Sequence, residues 1–444
     1  MKTFVAILLM ASLSLVDAAD LFVSPSGSST APYDTWAKAS TGLTLAATAA
    51  NDGDTIYVTN GTYSRWTAVL RTNFFWTSMN GPLVTIVDGG GTEGTVVTPL
   101  RATINGFTLQ NCTGTYSGIY IQGPAATFSN CIFRAFKATS GVGYPGAVAT
   151  IEIGCTGTWD NCLFEGNVQT SAGGAIGVMA GGKGILNGCT FSNNTAGAGN
   201  GGALYIEGAV SVTRTLFTHN TAGIGQAIYN ASSSGPSTYS NSVFSFNASS
   251  TGYGTIYATG TKANKSFYNC IFLGNQELYY TVVNCVLWNS LLVGNCNSAG
   301  YAAIYSCDGG NNIAWANYPD DITANGQTNT CYGTKAGAMD LTACITNYPS
   351  FMDDYTAVGT AANTGTNFVL GASGVSGLVL QVGSPCIDTG SNVAWTASAV
   401  DYAGNARIYN SIVDMGAYEY TAAGASANPD DNYKAALQWW RMIR

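Results

Sequence analysis

The phrase F-x-x-N returns five times through the middle of this chain, as Phe164-Glu165-Gly166-Asn167, Phe191-Ser192-Asn193-Asn194, Phe217-Thr218-His219-Asn220, Phe244-Ser245-Phe246-Asn247 and Phe272-Leu273-Gly274-Asn275. The spacings are 27, 26, 27 and 28 residues. Self-similarity at that period marks a solenoid whose units bury their apolar faces on one another rather than fold alone. A second phrase lies between: Gly173-Gly174-Ala175-Ile176, Gly201-Gly202-Ala203-Leu204 and Gly225-Gln226-Ala227-Ile228. Each coil thus has two marked strands, with a less regular third expected between them. The Phe of F-x-x-N is expected to stack inward, and its Asn to take left-handed turn geometry while bonding the next coil's turn.

Twelve Cys in one chain suggest a disulfide framework if the protein is exported. Cys131, Cys162, Cys189 and Cys270 each stand two residues before a repeat Phe, Cys285 stands likewise before Leu287, and Thr215 and Ser242 fill the same slot elsewhere. A slot shared by Cys, Thr and Ser is a small-residue ladder, and strands ~4.8 Å apart exceed the ~3.8 Å Cβ separation usual in a disulfide. These five thiols are expected free and buried. Cys112, Cys155, Cys296, Cys307, Cys331, Cys344 and Cys386 remain as disulfide candidates, Cys307 with Cys331 first among them.

Residues 1–18 carry Lys2, an apolar run from Phe4 to Leu15, and small residues at Val16 and Ala18. That pattern reads as a secretory leader cleaved after Ala18, and no later run is long enough for a transmembrane helix. Residues 19–63 read as an N-terminal cap, with helical spacing at Trp36, Leu43 and Ala47 between Tyr33 and Ala50. A helix there would cover the solenoid's open edge. The repeats occupy 64–297, irregular coils and long loops 298–383, an end module 384–420, and a linker with a basic aromatic tail 421–444. Trp439 and Trp440 beside Lys434, Arg441 and Arg444 suit a membrane surface or a sorting partner.

The G-G-A-[ILV] and F-x-x-N phrases resemble the repeats of polymorphic outer-membrane proteins. The segment Asp52-Gly53-Asp54-Thr55-Ile56-Tyr57-Val58 is similar to the opening of exported proteins of the pectate-lyase-like superfamily. Both resemblances imply an all-β fold, a right-handed parallel β-helix with a short helical cap, and neither fixes a job. The few residues after the repeats do not suggest the translocating barrel of the outer-membrane group. Ser384-Pro385-Cys386-Ile387-Asp388-Thr389-Gly390, Asp401-Tyr402-Ala403-Gly404-Asn405-Ala406-Arg407 and Asp414-Met415-Gly416-Ala417-Tyr418-Glu419 resemble the end module of bacterial surface proteins called choice-of-anchor Q domains.

Net charge −8 argues against nucleic acid, whose phosphates need a basic stripe, and against a polyanionic partner. A lyase needs a Lys or Arg base beside carboxylates. Arg134 and Lys137 straddle one turn and are the candidates, with Glu152, Asp160 or Glu165 in adjacent coils. A hydrolase needs two or three carboxylates at a defined separation. Asp320 with Asp321, and Asp353 with Asp354, are pairs of the kind that also ligate Ca²⁺; no other cofactor is implied. The single His, His219, lies inside a repeat. Tyr116, Tyr120, Tyr144, Tyr253, Tyr257, Tyr268, Tyr279, Tyr280 and Trp288 lie in or beside the repeats as sugar-stacking candidates. Tyr also suits half-buried strands, so facing decides. The leading expectation is a secreted or cell-surface protein with a structural, adhesive or glycan-contacting role and no evident catalysis. The alternative is a polysaccharide lyase.

Overall fold

A computed structural model describes residues 18–64, 72–91, 101–139, 145–231, 235–248, 252–297, 302–315, 317, 320–323, 327–328, 331–332, 378–384, 386–392 and 396–421. Among these the chain winds as a right-handed parallel β-helix. Three parallel sheets of 13, 12 and 9 strands form its walls, the third beginning at Ile119–Ile121, beside minor ones of 3 and 2 strands. A coil passes from a first-sheet strand such as Lys183–Asn187, through a one-residue bend, to a second-sheet strand such as Thr190–Ser192. It then turns through the Asn corner to a third-sheet strand such as Leu204–Ile206.

Left-handed residues flank the second-sheet strand on both sides, and a third, such as Gly201, precedes the third-sheet strand. The bend before the second sheet is Asn130, Asn161, Gly188, Arg214, Asn241, Asn269, Asn289 or Asn311, with φ between 49° and 61°. After the second sheet, positive φ falls on Gly166, Asn193, His219, Phe246 and Gly274, one residue before the F-x-x-N Asn. The expectation that this Asn would itself be left-handed is therefore corrected. Its side chain turns into the corner, where it is worth more as a hydrogen-bonding group than as a turn former. Asn167, Asn194, Asn220, Asn247, Asn275 and Asn295 are each 0–1% exposed. Each Nδ2 donates to the Oδ1 of the next, at 2.8–3.0 Å. A second Nδ2 bond reaches back to the preceding coil's Phe carbonyl, as from Asn194 to Phe164 at 3.0 Å.

Inside, the Phe rings stack as expected. Phe133, Phe164, Phe191, Phe217, Phe244 and Phe272 form a column with centroids 4.4–5.0 Å apart. Cys131, Cys162, Cys189 and Cys270 are free and buried beside it, with Thr215 and Ser242 in line. Burial pushes the Cys162 thiol well up and the Cys270 thiol up to about 12, so neither is a reactive thiolate at neutral pH.

Cys285 is free as expected but does not belong to this column. The next rung after Cys270 is Ser290, whose Oγ accepts the Cys270 N–H at 3.2 Å. Cys285 instead stands just before the first-sheet strand Val286–Trp288 and donates its N–H to Cys307 Sγ at 3.4 Å. The expected Cys307–Cys331 disulfide is also corrected. Cys307 is a free buried thiol, while Cys331 aligns with Ile313 in the second sheet, a different wall of the coil. Cys112, Cys155 and Cys386 are buried and form no disulfide either.

In the cap, the helix is shorter than the spacing suggested: Leu43–Ala49 buries Leu43, Ala46 and Ala47. Trp36 falls outside it, in a 3-10 turn at Trp36–Lys38, with its ring 4.5 Å from that of Phe22. At the other end, Leu378, Leu380, Tyr402, Met415 and Tyr418 pack on Leu216, Val243, Ile271, Leu291 and Ile313, the outward row of the second sheet. Regular strands of the three sheets recur as far as Cys331–Tyr332.

Candidate functional site: a tyrosine face on the third sheet

In a strand, alternate residues point outward. The third-sheet strands put one outward residue each into a single row, because the register aligns their centres. The row reads Tyr120, Thr150, Gly177, Tyr205, Tyr229, Tyr257, Val283, Tyr305. Tyr205, Tyr229 and Tyr257 stand as parallel rings with centroids 5.5 and 5.9 Å apart. Beside them Tyr253 meets Tyr257 edge-on at 5.9 Å and stacks on Tyr279 at 4.1 Å. Tyr280 stacks on Tyr305 at 4.3 Å. The outer members, Tyr253 and Tyr305, are 37% and 42% exposed.

The Tyr205 and Tyr229 phenols stay neutral. Burial raises Tyr205 and Tyr229 above the ordinary value, and the neighbouring Glu207 adds to the shift at Tyr205. The Tyr205 hydroxyl donates to Glu207 Oε1 at 2.9 Å, and the Tyr120 hydroxyl donates to Glu152. The face therefore offers ring edges, hydroxyls and two carboxylates. Of the cations that follow third-sheet strands, Lys262 pairs with Asp308 at 3.3 Å and Lys265 is buried, donating to the carbonyls of Thr259 and Thr261, while Lys183 is exposed.

The lyase candidates are spread over four of the solenoid's sheets. Arg134 and Glu165 are register neighbours on the second sheet, and Arg134 Nε donates to Gln110 Oε1 at 2.8 Å. Lys137 begins a strand of the minor three-stranded sheet, in line with Val168. Asp160 closes a first-sheet strand and accepts from Asn187 Nδ2 at 3.3 Å. Glu152 lies after a third-sheet strand, against Tyr120. Of these candidates the register brings together only Arg134 and Glu165, in a second-sheet row that also holds Gln110 and Asp88.

Among the sugar-stacking candidates, Tyr120, Tyr253, Tyr257, Tyr279 and Tyr280 lie on or beside the third-sheet row. Tyr116 is exposed just before it. Trp288 and Tyr268 are register neighbours on the first sheet instead. Tyr144, Asp353 and Asp354 lie outside the described residues. Asp320 and Asp321 lie in the strand Asp320–Thr323, their side chains outside the description. Among the described residues no group of three or more His, Cys, Asp or Glu is placed to hold a metal.

Sequence reasoning missed Tyr205, Tyr229 and Tyr305. The signal was one residue beyond the phrase already noted, in Gly201-Gly202-Ala203-Leu204-Tyr205 and Gly225-Gln226-Ala227-Ile228-Tyr229. The residue after the buried Leu or Ile of such a strand must face out.

The sequence matches no protein-family model, and no curated protein matches it. Among solved structures the chain resembles pectate lyase Pel9A, at a TM-score of 0.53 and 15% identity over 91% of this chain and 96% of that one. Two looser likenesses are a PL6 family alginate lyase, AlyGC (TM-score 0.35, 11% identity, 67% of this chain and 51% of that one), and the A-module of the Azotobacter vinelandii mannuronan C-5 epimerase AlgE6 (TM-score 0.29, 15% identity, 64% and 92%). At these identities the Pel9A likeness shows the parallel β-helix fold and nothing finer. Among the described residues no helix is long and apolar enough to cross a membrane.

Proposed function

We propose that the protein is an exported, surface-acting β-helix that holds a neutral glycan along its third-sheet tyrosine face without turning it over. The observation that carries this reading is the outward row of Tyr205, Tyr229 and Tyr257, extended by Tyr253, Tyr279, Tyr280 and Tyr305. Exposed ring surface at Tyr253 and Tyr305 and the phenol hydroxyls of the row suit the C–H groups and hydroxyls of a sugar chain. The charge on the face favours a neutral sugar. Glu207 and Glu152 flank the row, and a uronate would meet those carboxylates with Lys262 and Lys265 already committed elsewhere.

A lyase reading would need a cation and carboxylates converging on one substrate carbon. Apart from Arg134 and Glu165, which share the second sheet, the described candidates lie on separate walls, which supports binding over turnover. The test is a glycan array read together with an unsaturated-uronate assay on the same preparation. Binding of neutral glucans, xylans or mannans, unchanged by moderate salt and without turnover, is the expected result. Release of unsaturated uronate overturns it and makes Arg134 and Glu165 the first residues to replace.

A further inference from the structure

The Asp54 carboxylate is only 1% exposed, and both its oxygens are engaged where the solenoid begins. Oδ1 accepts the Ala19 N–H at 2.7 Å and Oδ2 accepts the Asn51 N–H at 2.6 Å. The Ala19 carbonyl in turn accepts the Thr55 N–H at 2.9 Å, so one turn grips Ala19 on both sides. Ala18 and Ala19 are exposed. They precede the strand Asp20–Val23, the outermost of the 13-stranded sheet. Cutting between them removes no strand pairing, which is where chain cleavage is tolerated. The small residues Val16 and Ala18 are spaced as an export peptidase requires.

We propose that Ala19 is the first residue of the mature chain and that its α-ammonium seats on the buried Asp54 carboxylate, locking the N-terminal cap. The step is a hydrolysis by the peptidase of the export route. Water adds at the Ala18 carbonyl, the C–N bond breaks, Ala18 leaves with a carboxylate, and the Ala19 amine takes up a proton. An amide donor to Asp54 thus becomes a cationic one at the same atom, and a charge-assisted bond is roughly twice as strong. The other charged groups flanking this point are Asp20, next in the chain, and Asp52, in the same turn. Helix Leu43–Ala49 and strands Thr55–Val58 and Thr72–Ser78 contain no charged residue. These acids reinforce the pull on an ammonium.

The inference is independent of any glycan. The full chain, with its leader, is expressed in an exporting host and the exported protein weighed intact. A mass beginning at Ala19 is expected; a start elsewhere, or a retained leader, overturns the proposal. The amine is then ¹³C-dimethylated and titrated by NMR. An ordinary α-amino group titrates near ~8, and the folded protein is expected to titrate at least about one unit higher, a tenfold change in proton affinity. The shift should vanish in Asp54→Asn. Should that variant fail to fold, the denatured wild-type protein supplies the reference, and coincidence of the folded and denatured midpoints overturns the proposal. A chain carrying one extra residue before Ala19 is the second control. A raised folded value means stability is complete below pH ~8 and is lost as pH rises through the folded midpoint. The thermal midpoint of the mature protein should therefore fall relative to the extended one over that window; parallel profiles overturn the lock.

Discussion

Replacing Asn220 by Ala removes one rung of the buried amide ladder and nothing else of the coil. Asn220 is 0% exposed, and its side chain makes four bonds. Nδ2 donates to the Phe191 carbonyl and to Asn247 Oδ1, each at 3.0 Å. Oδ1 accepts the Asn194 backbone N–H and Asn194 Nδ2, each at 3.0 Å. Truncation leaves Asn194 with two N–H bonds unmade in a corner that water does not reach. At about 1–3 kcal/mol for each unsatisfied buried donor, the expected cost is roughly 2–6 kcal/mol. Asn220→Asp refines the test. Its second oxygen replaces an amide donor and faces two acceptors, so the variant is tolerable only when protonated. Its folded pKa is thereby raised, and its stability should fall as pH rises above ~4, whereas Asn220→Ala should show no such slope. Because coils unfold semi-independently, urea melts should be read with hydrogen exchange at Asn194 and Thr221, whose amides lie at this rung. A cost under about 1 kcal/mol for Asn220→Ala, or identical pH profiles for the two variants, would refute the claim that the ladder holds the corner.

Phe217→Ala opens the ring column between Phe191 and Phe244 and should cost about 3–5 kcal/mol in the same melts; a much smaller loss would count against an inward ladder. Glu277 is buried against Thr255 and Thr281, and burial pushes its carboxyl up to about 8. The folded form keeps a proton that the unfolded chain releases near 4.5, so stability should decline from pH ~4.5 to about 8. Glu277→Gln should flatten that slope in thermal melts. Arg407→Met strands the buried acids Asp401, Asp414 and Glu419 without their guanidinium and should loosen the end module by about 3–5 kcal/mol, read as early proteolysis within 378–421. Tyr229→Ala should weaken glycan binding about fivefold for a loss of about 1 kcal/mol of ring contact while leaving the melt cooperative; unchanged affinity would move the site off the third sheet.

The fold was legible because its signals are local and repeated. Phe at the period marks the inward column, and Gly or Asn at the bends marks left-handed backbone. The misplacements have physical causes. In F-x-x-N both the residue before Asn and Asn itself are plausible turn formers, and only pairing shows that the left-handed job goes to Gly166, Asn193, His219 or Phe246. A non-Gly residue there costs strain, which the buried Asn bonds offset. Cys285 was misassigned because coils shorten after Phe272, whose register partner Leu292 follows by 20 residues. Two residues before Leu287 is consequently a different wall from two residues before Phe272. The tyrosine face was half visible: Tyr253, Tyr257, Tyr279 and Tyr280 were named, but without knowing which way a strand faces they could not be told from Trp288.

The end module marks where sequence reading stops, because its partners lie more than a hundred residues away. Arg407 donates to the Asp414 and Gly416 carbonyls, and Asp414 and Glu419 each accept two backbone N–H groups. The D-x-x-G-x-x-R and D-x-G-A-x-E residues thus close on one another instead of facing a ligand. The module is fastened by bend residues of the solenoid. Asn241 donates to the Val400 carbonyl at 2.6 Å, Asn269 to Asp414 at 2.8 Å and Asn289 to Ser391 at 3.0 Å. In sequence these Asn look the same as Asn130 and Asn161, which also take the bend. One clue was present. The x of N-C-x-F faces outward by alternation, and Leu216, Val243, Ile271, Leu291 and Ile313 make that outward row continuously apolar. Such a row needs a cover. The cover closes the second sheet, while the tyrosine row of the third sheet keeps exposed rings at Tyr253 and Tyr305. A chain truncated before residue 378 would bare a second, purely apolar wall, and should therefore bind hydrophobic matrices and unrelated polymers that the full chain ignores.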